Sequence, residues 1–310
     1  MPSSRAERGE IVAVVELGTN AVRSMLARVK RGVGFTVLDE ARAPTRLGSV
    51  ERRMSRAAIC ATLDAVDAFV HEIASRHPRL IVVATAAVRE ARNAATLLAA
   101  FRQRHGVEVQ ILSGEEEARL AALEAMFSLP VKCGRVVDLG GGSLQVARID
   151  DRRARVIGSV PLGVLKTTRR FLGGARATAS QVAALRHAVR AHAGPLLFDA
   201  GPSPLIALGG SVRALARMHG AGERRRRPVH GYRLHLDDVA ALRARLERLP
   251  VRRRGDVPGL KAERADTILA GAVIVEEILA LTRQTTLTVC GRGVRHGVLI
   301  RETFDRGVPA

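Results

Sequence analysis

A five-residue pattern occurs twice in this chain. Val14-Val15-Glu16-Leu17-Gly18 is matched by Val136-Val137-Asp138-Leu139-Gly140. In each copy an apolar, β-branched run carries a carboxylate near its end and breaks at glycine. A second apolar run then follows, ending in Ala27-Arg28 in one copy and in Ala147-Arg148 in the other. Such a run, bounded by turn residues, reads as a buried strand, and a strand returning through a short turn reads as a hairpin. At 310 residues the chain exceeds what one hydrophobic core usually fills. The duplication therefore predicts an α/β protein of two related lobes, residues 1–129 and 130–310, with the boundary near Leu129.

The remaining periodicity fills in the lobes. Strands are expected at Ile11–Glu16, Ala21–Val29, Phe35–Leu38, Leu80–Ala84 and Val107–Leu112. Ile59, Leu63, Val66, Phe69, Val70 and Ile73 make an apolar stripe on a helix over Arg56–Ser75. Asn93 is expected to cap a helix that Gly106 stops, and Ser113 to open another. After Pro130, strands are expected at Arg135–Leu139, Leu144–Ile149, Leu205–Leu208 and Leu287–Cys290. Helices are expected at Gln181–His192, Asp237–Leu249 and Arg264–Thr282, one follows Gly209-Gly210-Ser211, and a glycine-spaced loop is expected from Gly291 to Gly297.

No apolar run approaches the ~18 residues of a membrane span, and Ile11–Val15 is too brief for a signal peptide, so a cytoplasmic location is expected. Cys60, Cys133 and Cys290 form no CxxC, which predicts reduced, buried thiols and no zinc site. The net charge of +20 suggests a polyanionic partner. With 3 % aromatic residues there are few rings to stack unpaired bases, which argues against nucleic acid and leaves a phosphate polymer. Lysine occurs only at Lys30, Lys132, Lys166 and Lys261, so the arginine excess suits a GC-rich genome as well as a binding surface. The runs Arg224–Arg227 and Arg252–Arg254 read as solvated charge or as a guide for a polymer.

Glycines after a strand let backbone N–H groups approach phosphate oxygens, and ligands of open α/β sheets sit at the carboxyl ends of strands. The two related turns are thus candidate anion sites, although ordinary hairpin turns share their composition. Asp138 is suited to hold Mg²⁺ or orient a water. In Ser113-Gly114-Glu115-Glu116-Glu117, a capping box accounts for Ser113 and Glu116, and the helix dipole for Glu115. Glu117 is left as a candidate general base or a surface carboxylate. Arg89 sits at a strand-to-helix junction, where a guanidinium can grip phosphate.

Taken together, the ordered segments VVELGTNAVR, ATAAVREARNA, ILSGEEEARL, VVDLGGGSLQV, SVPLGVLKTT, ALGGSVRALARM, RADTILAGAVIVEEIL and GVRHGVL resemble the Ppx/GppA phosphatase family (exopolyphosphatase and guanosine pentaphosphate phosphohydrolase) over nearly the whole chain. The resemblance implies two ribonuclease-H-like lobes of the actin-like ATPase superfamily with a cleft between them. It implies Mg²⁺-assisted hydrolysis of a phosphoanhydride in polyphosphate or guanosine pentaphosphate. Glu117 corresponds to the family's catalytic glutamate and Asp138 to its metal- and water-handling aspartate. Gly140, Gly141, Gly142 and Ser143 match the phosphate loop, Thr19 and Asn20 the N-terminal phosphate loop, and Arg89 a phosphate-contacting arginine. Gly209, Gly210 and Ser211, inside a matched segment, join the phosphate-binding set, and Glu16 joins Asp138 as a metal ligand. A homodimer is an allowed assembly, and guanosine tetraphosphate is a further candidate ligand.

The sequence also departs from the family pattern. Glu16 stands where the family has Asp, Ala21 where it has Ser, Gln145 where it has Glu, and His296 where it has Glu. Two readings follow: a hydrolase, or a binding protein for polyphosphate or an alarmone that does not turn its ligand over. A kinase of the wider superfamily fits less well, because no separate acceptor segment is apparent.

Overall fold

A computed structural model describes residues 9–48, 52–198, 203–222 and 228–304. The chain divides into two compact units. Unit 1 comprises the residues up to Glu124 together with those from Val294 onward, and unit 2 spans Ala125–Gly293.

Unit 1 is built on a sheet of β1 (Glu10–Leu17), β2 (Val22–Lys30), β3 (Gly34–Ala43), β4 (Arg79–Ala84) and β5 (Val109–Ile111), in the order β3-β2-β1-β4-β5. Helix α1 (Arg56–Ile73) is capped by the Ser55 hydroxyl, which accepts from Ala58 N at 3.1 Å. It lays Ile59, Leu63, Val66, Phe69 and Ile73 into the core. Burying a side chain of that size contributes about 1.5–3 kcal/mol, so this stripe, not local propensity, holds the helix in place. A short helix α2 (Ala86–Arg89), α3 (Ala94–His105) and α4 (Gly114–Ser128) follow.

Unit 2 repeats the plan with β6 (Gly134–Leu139), β7 (Leu144–Asp150), β8 (Arg153–Val160), β9 (Leu205–Gly209), β10 (Arg233–His235) and β11 (Thr286–Val289). Their order is β10-β11-β9-β6-β7-β8. In both units the first strand pairs antiparallel with the second and parallel with the fourth-placed strand. β10 is an added edge. The helices are α5 (Val164–Phe171), α6 (Ala179–Leu197), α7 (Gly210–Gly220), α8 (Leu236–Arg248), α9 (Val251–Arg254) and α10 (Ile268–Leu281). α10 is apolar over most of its length and lies in the core, and its two carboxylates, Glu276 and Glu277, are paired with Arg186, Arg190 and Arg243. Among the described residues, no helix is long and apolar enough to cross a membrane.

The division of the chain differs from the expected one. The segment expected as a glycine-spaced loop is helix α11 (Val294–Phe304), and it belongs to unit 1, packing on β1, β2 and β3. Gly297 misleads because glycine is rare inside helices. Here a Cβ would stand 2.5 Å from the Leu120 carbonyl oxygen, so glycine is what lets α11 lie against α4. The first division falls after Glu124, within α4, not near Leu129.

Smaller departures have local causes. Asn93 does not cap α3: its side chain accepts from Met54 N at 2.9 Å and donates to Met54 O at 3.0 Å, pinning a neighbouring segment instead. The chain from Ala262 to Thr267 is not yet α-helical, and the helix expected from Arg264 begins at Ile268. The two Ala-Arg dipeptides are not in equivalent register. Ala27 pairs with Val12, whereas Ala147 pairs with Val136, the counterpart of Val14. A bulge immediately precedes the alanine in each copy, at Leu26/Ala27 and at Val146/Ala147. Of the cysteines, only Cys290 is buried; Cys60 and Cys133 are exposed, and none of the three is in a disulfide. Arg252–Arg254 form the short helix α9, and Arg254 is buried, its Nε donating to Leu246 O at 3.1 Å. Arg224–Arg227 lie outside the described residues.

Candidate functional site

Unit 1 gathers its candidates at the carboxyl ends of three neighbouring parallel strands. β1 ends in the turn Gly18-Thr19-Asn20, β4 in Thr85 and α2, and β5 in Ser113 and α4. The first turn closes through Gly18 N donating to Ala21 O at 3.2 Å. Thr19 and Asn20 offer their carbonyls to Gly48 N and Arg46 N, at 2.9 and 3.3 Å. The expected capping box of α4 is present: Glu116 N donates to Ser113 Oγ at 3.0 Å, and Ser113 N to Glu116 Oε2 at 2.6 Å. The box aims Glu117 elsewhere, one position further round the helix. Glu117 is buried, and its Oε1 meets Arg89 Nη1, which also donates to the Leu112 carbonyl. The structure thus brings together Glu117 and Arg89, which the sequence had as separate candidates.

Glu16 is held differently. It is buried at the end of β1, with Oε1 3.5 Å from Arg23 Nη1 and Oε2 3.7 Å from Arg295 Nε. Arg295 comes from α11 and also donates to the Ser24 carbonyl at 2.6 Å and faces Glu40 at 3.5 Å. Burial lowers the pKa of Arg295, and Glu16 and Glu40 act against that shift. Two guanidiniums facing this carboxylate weigh against the metal role expected for Glu16. Arg295 and Arg23 were not anticipated. Each lies in a matched segment, Arg23 at the end of VVELGTNAVR and Arg295 within GVRHGVL, and the partner of Arg295 lies far away in the chain.

The Arg295 clasp makes a measurable stability claim. Removing one partner from a buried pair costs about 3–5 kcal/mol, because the other charge is left uncompensated. Here Arg23 and Arg295 share Glu16, so Arg295→Met is expected at the low end, about 3 kcal/mol of unfolding free energy in denaturant titration. A loss below about 0.5 kcal/mol, the usual effect of a surface change, would show the clasp to be incidental.

Unit 2 places its candidates on the neighbouring ends of β6 and β9. The loop Gly140–Ser143 closes as the unit 1 turn does, with Gly140 N donating to Ser143 O at 3.0 Å. Helix α5 starts directly on it: Val164 N donates to Gly140 O at 3.0 Å and Leu165 N to Gly141 O at 2.9 Å. A Cβ on Gly163 would stand 2.2 Å from Gly142, so this junction requires a glycine. The adjacent turn Gly209-Gly210-Ser211 opens α7, whose N-terminal amides and dipole favour an anion. The guanidinium of buried Arg264 lies against Gly210. Asp138 sits half-buried in β6, paired in register with Gln145 and Leu208.

Gln145 is 1 % exposed. Its Nε2 donates to Ser143 Oγ at 2.6 Å and to Ser159 Oγ at 3.4 Å. Where a glutamate would bring charge to the loop, this amide brings a donor that occupies a lone pair of Ser143.

Among the described residues, no three His, Cys, Asp or Glu side chains group as a metal site. Asp138 fits a different mode. Mg²⁺ commonly takes one or two carboxylates and completes its shell with substrate phosphates and water. One oxygen ligand beside glycine turns suits that chemistry.

The model of the Ppx/GppA phosphatase family matches residues 25–304. Exopolyphosphatase 1 of Mycobacterium leprae is 30% identical over 305 residues, covering 94% of this chain and 89% of that protein. Among solved structures, the Aquifex aeolicus PPX-GPPA enzyme is 27% identical with a TM-score of 0.79, covering 94% of this chain and 99% of that one. An exopolyphosphatase from Cytophaga hutchinsonii superposes with a TM-score of 0.89 at 21% identity, covering 97% and 100%, which is a likeness of fold.

Proposed function

Because the chain belongs to the Ppx/GppA phosphatase family, we propose that it is an exopolyphosphatase releasing terminal phosphate from inorganic polyphosphate. The observation that carries this reading is Glu117, buried and oriented by Arg89 at the start of α4. Guanosine pentaphosphate is the second substrate to test, since it presents the same terminal phosphoanhydride. A cytoplasmic location suits both substrates.

In this reading Glu117 accepts a proton from the attacking water. The water oxygen bonds to the terminal phosphorus as the bond to the bridging oxygen breaks, and the shortened chain leaves with that oxygen. Little covalent work falls to the protein. Each unit offers donors suited to phosphoryl oxygens: in unit 2 the amides of Gly141–Ser143 and those at Gly209–Ser211, and in unit 1 the N–H groups of Thr19 and Asn20. Mg²⁺, held by Asp138 and the substrate's own phosphates, would add charge neutralisation. Glu16 has no part in this and anchors α11 instead.

A second reading has its own observation. Gln145 carries no charge, and its amide is engaged with Ser143 and Ser159. A site with one carboxylate fewer could bind polyphosphate without turning it over. Phosphate release from polyphosphate with Mg²⁺ separates the readings. Release above that of a Glu117→Gln control establishes the hydrolase, whereas tight binding with no release establishes the binding protein. In the latter case Gln145→Glu is expected to bring measurable turnover, and a still silent variant would show that Gln145 is not the cause. Chelating Mg²⁺ is expected to lower release about a hundredfold or more, the scale of several kcal/mol of lost charge stabilisation. A rate indifferent to chelation would exclude the Asp138 metal assignment.

A further inference from the structure

Helix α8 divides its side chains between two faces. Val239, Leu242 and Leu246 are buried. Arg243 is engaged by Glu247 at 2.6 Å and by Glu276 at 2.8 Å. Arg245 and Arg248 are exposed, and no carboxylate of the described residues lies within ion-pair distance of either. With Ala241 and Ala244 they line a groove of about 650 Å³, to which Arg253 and Asp256 add charge and Leu249 and Val257 apolar surface.

The spacing explains the shape. Residues 241, 244, 245 and 248 recur at three and four positions, so they lie on one stripe of the helix. At ~1.5 Å per residue the stripe is about 10 Å long. The alanines leave its floor low, and the arginines stand beside it. Arg253 enters from α9, with its Nε donating to Asp256 at 2.6 Å. That pair fixes one guanidinium, and one carboxylate cannot balance three. The carbonyl end of α8 favours nearby cations, which accounts in part for Arg245 and Arg248. It does not account for a third arginine brought in from a different helix, nor for the hollow between them.

We propose that this groove is a second anion site, binding a chain of linked phosphates with residues that belong to none of the glycine turns. Planar guanidiniums pair with phosphate oxygens in bidentate fashion, and several along a trough suit a flexible polyanion. The groove has no aromatic side chain on which to stack a base. The site itself follows from its own geometry. Naming inorganic polyphosphate as its occupant rests on the exopolyphosphatase reading. A nucleoside triphosphate is the alternative source of the same chemistry.

The test uses the full chain carrying Glu117→Gln, so that ligand is not consumed, titrated calorimetrically with long-chain polyphosphate and with ATP. Adding Arg245→Gln and Arg248→Gln is expected to weaken polyphosphate binding about tenfold or more, the equivalent of one good charge-assisted contact. A charge-matched control, Arg153→Gln with Arg155→Gln, is expected to change it by less than about twofold. In the chain with Glu117 intact, the groove pair is expected to leave phosphate release from tripolyphosphate unchanged. Equal losses from both pairs, or none from the groove pair, would overturn the proposal. ATP binding that depends on the groove arginines would assign the site to a nucleotide's phosphate chain. Groove-dependent binding in a chain whose Glu117 form releases no phosphate would uphold the site and remove the hydrolase reading.

Discussion

Glu117→Gln is expected to lower phosphate release from polyphosphate by about 10²–10⁴-fold, the usual contribution of a general base. That corresponds to roughly 3–5 kcal/mol of transition-state stabilisation. The substitution keeps the shape of the side chain and an oxygen that can accept from Arg89, and it removes only the basicity. Folding should survive with a loss of about 1–2 kcal/mol, the difference between a charged and a neutral hydrogen-bond partner. The measurement is kcat with polyphosphate, taken beside thermal unfolding of the same sample. A drop in kcat with KM little changed marks a group acting in the chemical step. A variant with ordinary kcat would take Glu117 out of the reaction and leave Arg89–Glu117 as a structural pair.

Gly209→Ala is expected to destabilise unit 2 by about 4 kcal/mol or more, a size reserved for a few mechanisms of which backbone strain and overlap are two. Gly209 has φ 110°, ψ 163°, a region open essentially to glycine alone. A Cβ there would stand 2.2 Å from the Leu139 carbonyl oxygen, with no flexible side chain to move aside. Leu139 leads into Gly140, so relief of that overlap would displace the Gly140–Ser143 loop as well. Stability and phosphate affinity should therefore fall together. Gly222→Ala is the comparison, since nothing lies within 4 Å of a Cβ placed there. Equal stability of the two variants would show that the close packing of the turns has been overread.

Much of the candidate site is legible in the sequence because its parts are local. A strand ending in glycine makes its turn within four residues. The Ser113–Glu116 box and its surplus glutamate lie within one helical turn. The helices with clear apolar stripes appear where expected, since periodic burial is a property of contiguous residues. β8, β10 and α5 escaped notice: β8 is an exposed edge with alternating burial, and α5 is a short polar helix that starts on the glycine loop.

The order of residues by itself determined the duplicated strand-turn-strand plan, the glycine positions and the placing of Glu117 at a helix start. These depend on backbone conformations and on neighbours within a few residues. Only the tertiary structure decided that Arg89 meets Glu117, that Arg295 reaches Glu16, and that α11 returns to the first sheet. Those pairings join positions far apart in the chain. They are selected because a buried charge must find a partner wherever the packing of the whole unit places one, and no local rule records where that is.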